Sequence, residues 1–483
     1  LEELGAGLMN PVEPLDAAML TAELLSDPLH VAALLILAPP VTAGPGYVDE
    51  LFERGLAETS DMDPRFRRHP HIGLDTAGLW MWRTDDTVDM RNHLERRSLP
   101  AGADRDALWE LVGELHSEPL ARSRPMWIAY LIDGLEDGHF ALYVKVHHTL
   151  IDGVAGMKMI GRALSADSES RGAPPFFAVR QESDENRGGA HRLLRNPMTL
   201  AHESLHGVIS GLGFVRELAM GEISTAVASI GAGLTVLPFG APYTRFNGRL
   251  GRERAFAGVS LPKSRIGAIR DAAGVTANDV LTAVVAGVLR EWLTALGELP
   301  DKSLVAICPI TVRSRERQER SADERRANLF GLELCSLGTH LRDEADRLAH
   351  IHRAMAWAKT EVARRGANVT TLLLAPSIGP TVLSPLMPFA PRRRRGYNVS
   401  ISHVPGPKSE MYWNGAHLEE IYPVSAAING QALNVTTCSY ADRVMFGYIS
   451  GRRVMPDIES VVPLTEYVLT ELEAALARRS RHS

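Results

Sequence analysis

An α/β protein built in two halves is what this 483-residue sequence predicts. Two runs suited to buried or half-buried strands, HVAALLILAPP at His30–Pro40 and FALYVKVHHT at Phe140–Thr149, are interleaved with stretches of helical period. After a long interval of different character the same alternation resumes and continues to the C-terminal end, which indicates layered helices and sheets in both halves. The composition, 45% hydrophobic and 23% charged, is that of a globular chain long enough for two or three domains. It excludes a disordered, collagen-like or disulfide-built protein.

Taken in order, residues 1–8 read as cloning residue or an unstructured leader ahead of Met9, with no basic stretch leading into an apolar one as a signal peptide needs. The His30 run is short and closed by prolines, hence a strand. Asp49–Glu58 and Asp104–His116 have apolar residues at helical spacing and acidic first turns. Phe140–Thr149 alternates and is rich in β-branched and aromatic residues, and VAGMKMIGRAL after it returns to helical period. From Ser165 to Gly189 the chain is polar, a loop or linker. His191–Gly240 has helical spacing again, and its 17 uncharged residues Ile223–Phe239 fall just short of a spanning segment.

This gives an N-terminal domain over 9–185, a helical connection over 186–250 and a C-terminal domain over 251–483. In the last, SRIGAIRDAAG is a helix stopped by Gly274, and TANDVLTAVVAGVLREWL is a long helix with Thr276 or Asn278 near its start. SLVAICPITV is a strand, Arg353–Arg365 a helix, and RRRRGYNVSISHVPGP runs from a basic loop into a strand and a proline turn. ALNVTTCSY and RVMFGYIS are the last strands before a helix over Pro463–Arg478.

A net charge of −6 offers no overall positive field to attract phosphates, so a nucleic-acid partner is not expected. Cys308, Cys335 and Cys438 are scattered, with neither metal-ligand spacing nor a disulfide framework. A reducing cytoplasm is the expected compartment and no metal is expected.

The chemistry centres on HHTLIDG, His147–Gly153. Successive side chains on a strand face opposite ways, so one of His147 and His148 faces a shared cavity and the other packs behind it. Asp152 stands at the turn into the following helix, where a carboxylate fixes the loop or holds an arginine. Gly153 permits close packing where that helix begins. An imidazole is the side chain best suited to taking and returning a proton at neutral pH. A His pair at a strand end is often merely structural, but two histidines with Asp-Gly at this spacing form a rarer pattern that favours a general base.

HHxxxDG is shared by the coenzyme-A-dependent acyltransferase superfamily, including chloramphenicol acetyltransferase-like enzymes and peptide-synthetase condensation domains. Four further segments make the sequence resemble one branch, the bacterial wax ester synthase/acyl-CoA:diacylglycerol acyltransferase family. They are PLDAAML at Pro14–Leu20, RPMW at Arg124–Trp127, TANDV at Thr276–Val280 and SHVPGP at Ser402–Pro407. Met126 and His403 replace the Leu and Asn usual in two of these blocks, and the second puts the shared hydrogen-bonding role of that side chain in question.

The resemblance implies two chloramphenicol acetyltransferase-like domains, each a mixed sheet flanked by helices, with an active-site tunnel between them. It implies transfer of a long-chain acyl group from acyl-CoA, as substrate and without a cofactor, to diacylglycerol and to fatty alcohols. His148 becomes the general base, with His147, Asp152 and Gly153 in its motif, and Asn278 a donor to the oxyanion. Pro125, Trp127, Asp279, Ser402 and Gly406 become candidate substrate-binding positions. Arg392–Arg395 is a solvated basic face or a contact for phosphate or anionic membrane. A peripheral place at the inner membrane or a lipid droplet follows, with 191–240 as the candidate contact. The competing readings are a non-catalytic acyl-lipid or lipid-droplet binding protein, and a different HHxxxDG enzyme for condensation or acetyl transfer.

Overall fold

Among the described residues, fifteen strands and eight α-helices arrange themselves as two six-stranded sheets and one small three-stranded sheet. The computed structural model describes residues 9–58, 61–151, 153–172, 174–178, 240–311, 330–365 and 396–481. Asp152, most of the expected helical connection and Arg392–Arg395 lie outside the described residues.

In the first lobe, β1 (Asn10–Pro11) leads into α1 (Pro14–Leu25) and β2 (His30–Ala38). Next come α2 (Tyr47–Leu56), the hairpin strands β3 (Arg68–His71) and β4 (Met81–Thr84), β5 (Leu94–Ala103) and α3 (Arg105–Ser117). Strands β6 (Trp127–Leu135) and β7 (Phe140–His147) and helix α4 (Gly153–Ala163) complete this part of the chain. The second lobe opens with β8 (Arg254–Pro262), α5 (Lys263–Ala273) and α6 (Ala277–Ala295). It continues through β9 (Val305–Thr311), β10 (Phe330–Ser336), α7 (Glu344–Arg365) and β11 (Val399–Pro405). The last elements are β12 (Tyr412–Trp413), β13 (Ala416–Val424), β14 (Leu433–Tyr440), β15 (Arg443–Gly451) and α8 (Val461–Ser480).

The local rules explain most boundaries. Asp104 accepts the N–H of Ala107 and caps α3. Gly274 takes a left-handed φ of 65° and ends α5, a conformation that costs a side chain more than glycine. Phe140–His147 is buried along its whole length, as a strand covered on both faces must be. Residues 240–250, expected as part of a helical connection, instead hold a short 3₁₀ turn, Arg245–Asn247. Gly240, Pro242 and Gly248 leave no uninterrupted helical run there. Phe246 and Leu250 are buried in the second lobe's core, and Asn247 donates to the carbonyls of Tyr397 and Gly430 at 2.9 and 3.1 Å.

The two halves are not separate in space. The first lobe's sheet has the order β12-β13-β2-β7-β6-β5, so its last two strands are supplied by the second half of the sequence. β13 pairs antiparallel with β2 from His417↔Ala38 to Val424↔Ala32. The second sheet, β10-β9-β11-β14-β15-β8, packs against β13 and α3. Trp109 of α3, Phe256 of β8 and Tyr422 of β13 form an edge-to-face cluster, with centroids of the Trp109 pairs 5.4 and 5.0 Å apart.

Gly258 and Gly447 face each other in register on β8 and β15 at this seam. A Cβ at Gly447 would collide with the carbonyl oxygen of Pro423, which is backbone and cannot rotate away. Gly447→Ala is expected to cost about 1–3 kcal/mol through overpacking, read as a lower urea midpoint. An unchanged midpoint would show that the sheets can part without loss.

Candidate active site

The strand end of β7 carries the motif, and the two histidines divide as their positions dictate. His147 is 1% exposed, whereas the His148 side chain is exposed. The His147 Nδ1 lies 2.7 Å from Thr149 Oγ1 and accepts the Thr149 backbone N–H at 3.2 Å. Its Nε2 lies 3.2 Å from Glu23 Oε2. The N–H of Leu150 donates to the carbonyl of His147 at 2.9 Å, so His148 sits at the first corner of a tight turn. The backbone N–H of His148 donates to the Leu29 carbonyl at 3.0 Å.

Glu23, on α1, was not singled out by the sequence because its motif neighbours come from elsewhere in the chain. Burial works against its charge, but the His147 hydrogen bond and charge, the Leu29 N–H and Arg122 outweigh that and bring its pKa down to about 2. Arg122 donates to Oε2 at 2.8 Å and the Leu29 N–H to Oε1 at 3.0 Å.

Behind β7 lies a further buried polar group that sequence reading missed. His30 Nε2 is 2.7 Å from the His116 carbonyl, and His116 Nδ1 is 2.7 Å from Tyr143 Oη. Burial, then the charge of Lys145, lower His30 to about 3. Lys145 itself is lowered to about 8 by burial, and its Nζ donates to the carbonyls of Leu115 and Glu118 at the end of α3. The signal was available as alternation, since Tyr143, Lys145 and His147 share one face of β7.

The opposite face of β7 borders an apolar cavity of about 270 Å³. Leu142 and Val144 line it together with Leu131 of β6, Ile160 of α4, Phe176 and Trp127. Trp413 and Asn414, from the second half, close part of its wall, so this cavity requires both halves of the chain. Trp127 thus occupies the cavity wall, stacked on His93 with ring centroids 4.4 Å apart and donating to the Phe66 carbonyl at 3.0 Å. Pro125 is buried next to it, and its carbonyl accepts the Trp127 N–H at 2.9 Å.

The second lobe reaches the motif through β11. Gly153 begins α4 close to Val404, where a Cβ would stand 3.7 Å from Val404 Cγ2. Ser402, its neighbour on β11, shares a hydrogen bond of 2.8 Å with Thr436 Oγ1. His403 Nδ1 meets Thr437 Oγ1 at 2.9 Å, so the histidine in place of the usual Asn does make a side-chain bond to the adjacent strand. Burial, then the charge of Lys263, lower His403 to about 4 and leave it neutral at pH 7. Gly406 donates its N–H to the Ser439 carbonyl at 2.9 Å, and a side chain there would press on that same oxygen.

Asn278 and Asp279 open α6. Thr276 and Asp279 form a reciprocal capping box, with bonds of 2.9 and 3.3 Å. Asp279 is buried and also pairs with His352 Nδ1 at 2.8 Å, while the Asn278 side chain is exposed. The structure therefore sets His147 and His148 at the end of β7, brings Gly153 of the same motif up to Val404 of β11, and places Trp127 at the cavity. It gives Asp279 a capping role.

Residues 12–281 match the wax ester synthase/diacylglycerol acyltransferase catalytic domain, and residues 327–473 match the WS/DGAT C-terminal domain. The chain belongs to the wax ester synthase/diacylglycerol acyltransferase family. A solved WS/DGAT from Marinobacter aquaeolei VT8 shares 32% identity and a TM-score of 0.76, over 97% of this chain and all of that one. A Mycobacterium tuberculosis protein bearing the inferred name diacylglycerol O-acyltransferase is 37% identical over 96% of this chain and its own full length. The first condensation domain of the CDA synthetase, 15% identical with a TM-score of 0.56, shares the fold alone over 97% of this chain and 96% of its own. The WS/DGAT match covers both lobes, in keeping with a fold in which the second half of the chain supplies two strands of the first lobe's sheet.

Among the described residues of this WS/DGAT chain no group of acidic, His or Cys side chains could hold a metal ion, and all three cysteines are buried and free. No single described helix is long and apolar enough to cross a membrane.

Proposed function

We propose that this chain moves a long-chain acyl group from acyl-CoA to diacylglycerol, and to fatty alcohols as a second acceptor, with His148 as general base. The observation that carries the reading is the division of the histidine pair: His147 is buried with both ring nitrogens engaged, and the His148 side chain is exposed just past the end of β7. The apolar cavity suits an acyl chain. Val144 on its wall is four residues before His148, about 13 Å at the ~3.3 Å rise of a strand.

A thioester is already activated, so the step asks little else of the protein. The His148 imidazole takes the acceptor hydroxyl proton as the oxygen attacks the thioester carbonyl. The tetrahedral oxyanion then collapses, the carbon–sulfur bond breaks, and the CoA thiolate recovers the proton from the imidazolium. Neither a metal, a cofactor nor a covalent enzyme intermediate is needed for this sequence. Asn278 is proposed as a donor to the oxyanion, and Asp152 as a residue that holds the loop. Because diacylglycerol resides in lipid, the enzyme is proposed to work at the inner membrane or a lipid droplet.

Purified protein with palmitoyl-CoA and either diacylglycerol or hexadecanol should release free thiol and form the matching ester. Thiol release without ester would reduce the activity to hydrolysis, and no release would favour a lipid-binding role. Asn278→Ala is expected to lower kcat by up to about 10²–10³-fold with KM for acyl-CoA held, as loss of an oxyanion donor does. A lowered melting temperature with unchanged kcat would instead assign Asn278 to the helix start alone.

A further inference from the structure

We infer that Glu23 is a positioning residue for the base, setting both the tautomer of His147 and the backbone of His148. The inference rests on the reading of His148 as base, and the geometry reaches that residue by two routes. Along the first, Glu23 Oε1 accepts the Leu29 N–H at 3.0 Å, and the Leu29 carbonyl accepts the His148 N–H at 3.0 Å. Along the second, Glu23 Oε2 meets His147 Nε2 at 3.2 Å, while His147 Nδ1 accepts the Thr149 N–H at 3.2 Å. His148 lies between the ends of these two routes, held by its own N–H and by the turn from His147 to Leu150.

The tautomer follows from the donors. A backbone N–H can only donate, so the His147 Nδ1 that receives it carries a lone pair, and the ring proton is on Nε2. That proton requires an acceptor, and Glu23 Oε2 is the acceptor in reach. The carboxylate is kept ionised, Arg122 completing its contacts from the more exposed side at 2.8 Å. An ionised carboxylate that fixes an imidazole tautomer is a recurrent device for orienting catalytic and metal-binding histidines. Here it acts one residue away, on the neighbour of the base.

An amide at this position changes the outcome. The oxygen of a glutamine can still accept the Leu29 N–H, but its NH₂ group then faces the His147 Nε2–H, donor against donor. Relief requires the proton to move to Nδ1, which breaks the bond from the Thr149 backbone N–H, leaves Nδ1 donating to the Thr149 hydroxyl and so shifts the turn that carries His148.

Two measurements test this on the full-length protein, with the palmitoyl-CoA and diacylglycerol assay. Glu23→Gln should lower kcat by about 10–100-fold with KM for palmitoyl-CoA changed by less than about threefold. Glu23→Asp should recover part of the loss. In protein labelled with ¹⁵N-histidine, His147 should show the Nε2–H tautomer in the wild type and Nδ1–H in Glu23→Gln. Wild-type kcat in a folded Glu23→Gln, or an unchanged His147 signal, overturns the inference. If the variant does not fold, the wild type decides alone, because an Nδ1–H signal for His147 excludes the arrangement. Turnover by His148→Ala, by contrast, removes the base assignment without altering what the His147 signal reports about Glu23.

Discussion

His148→Ala is expected to lower kcat by about 10²–10⁴-fold, the usual contribution of a positioned general base, while the melting temperature stays within a degree or two. Thiol release from palmitoyl-CoA in the presence of diacylglycerol reads the first quantity and thermal unfolding reads the second. The separation follows from the geometry. The side chain is exposed, and the backbone N–H of the residue, bound to the Leu29 carbonyl, is retained by alanine. The neighbouring His147→Ala should behave in the opposite way, since it removes a buried ring bound to Glu23 and Thr149 and leaves the Thr149 N–H without its acceptor. Full turnover by purified His148→Ala would transfer the base to another group and remove the mechanism proposed here.

Asp27→Ala is expected to destabilise the protein by about 3–5 kcal/mol, the cost of leaving one member of a buried ion pair without its partner. Asp27 lies in the loop between α1 and β2, and its Oδ1 accepts from Arg254 Nη2 at 3.1 Å across the junction with the second lobe. The side chains are 9% and 5% exposed, so water screens the pair little. Asp27 Oδ2 also accepts the Asn429 N–H at 2.8 Å, which ties the same loop to the segment before β14. Burial already presses the Arg254 pKa below its ordinary value, and the Asp27 charge opposes that pressure.

Urea unfolding of Asp27→Ala gives the magnitude, and the double variant Asp27→Leu with Arg254→Met gives the cause. Replacing both charges removes the stranded cation, so the double variant should recover most of the loss. A double variant as unstable as the single one would mean that the loop depends on the Asn429 bond rather than on the ion pair. Leu29, which carries the His148 contact, is in the same loop, so kcat should fall in the single variant even where most of the protein is folded.

The readable part of the fold was that dictated by local patterning. β2, β7, β11, β14 and β15 are runs of apolar or alternating residues, and α3, α5 and α6 carry their stop or cap signals at Asp104, Gly274 and Thr276. Alternation also anticipated one buried and one exposed histidine in the pair, although His148 lies in the turn just past the end of β7. Harder to read was β13, AHLEEIYPV, whose two glutamates and proline disguise a strand that is hydrogen-bonded to β2 along one edge and bulged between Leu418 and Glu420. Nothing local says that this segment pairs with residues 32–38. Glu23 escaped for the same reason, because a glutamate on a helix acquires its role only when β7 and Arg122 arrive beside it. Asp279 shows the converse, a motif residue whose place in a capping box was already written in the TAND spacing.

The pairing of β13 with β2 also bears on how the chain is made. On the ribosome β2 is among the first strands to emerge and β13 among the last, so one side of β2 waits tens of seconds at ordinary elongation rates for its neighbour. A nascent chain of this kind displays an apolar, unpaired edge throughout that interval, open to other strands in the crowded cell. Expression of the N-terminal half by itself would make the interval permanent and should yield aggregates, whereas co-expression with the C-terminal half restores the missing neighbour.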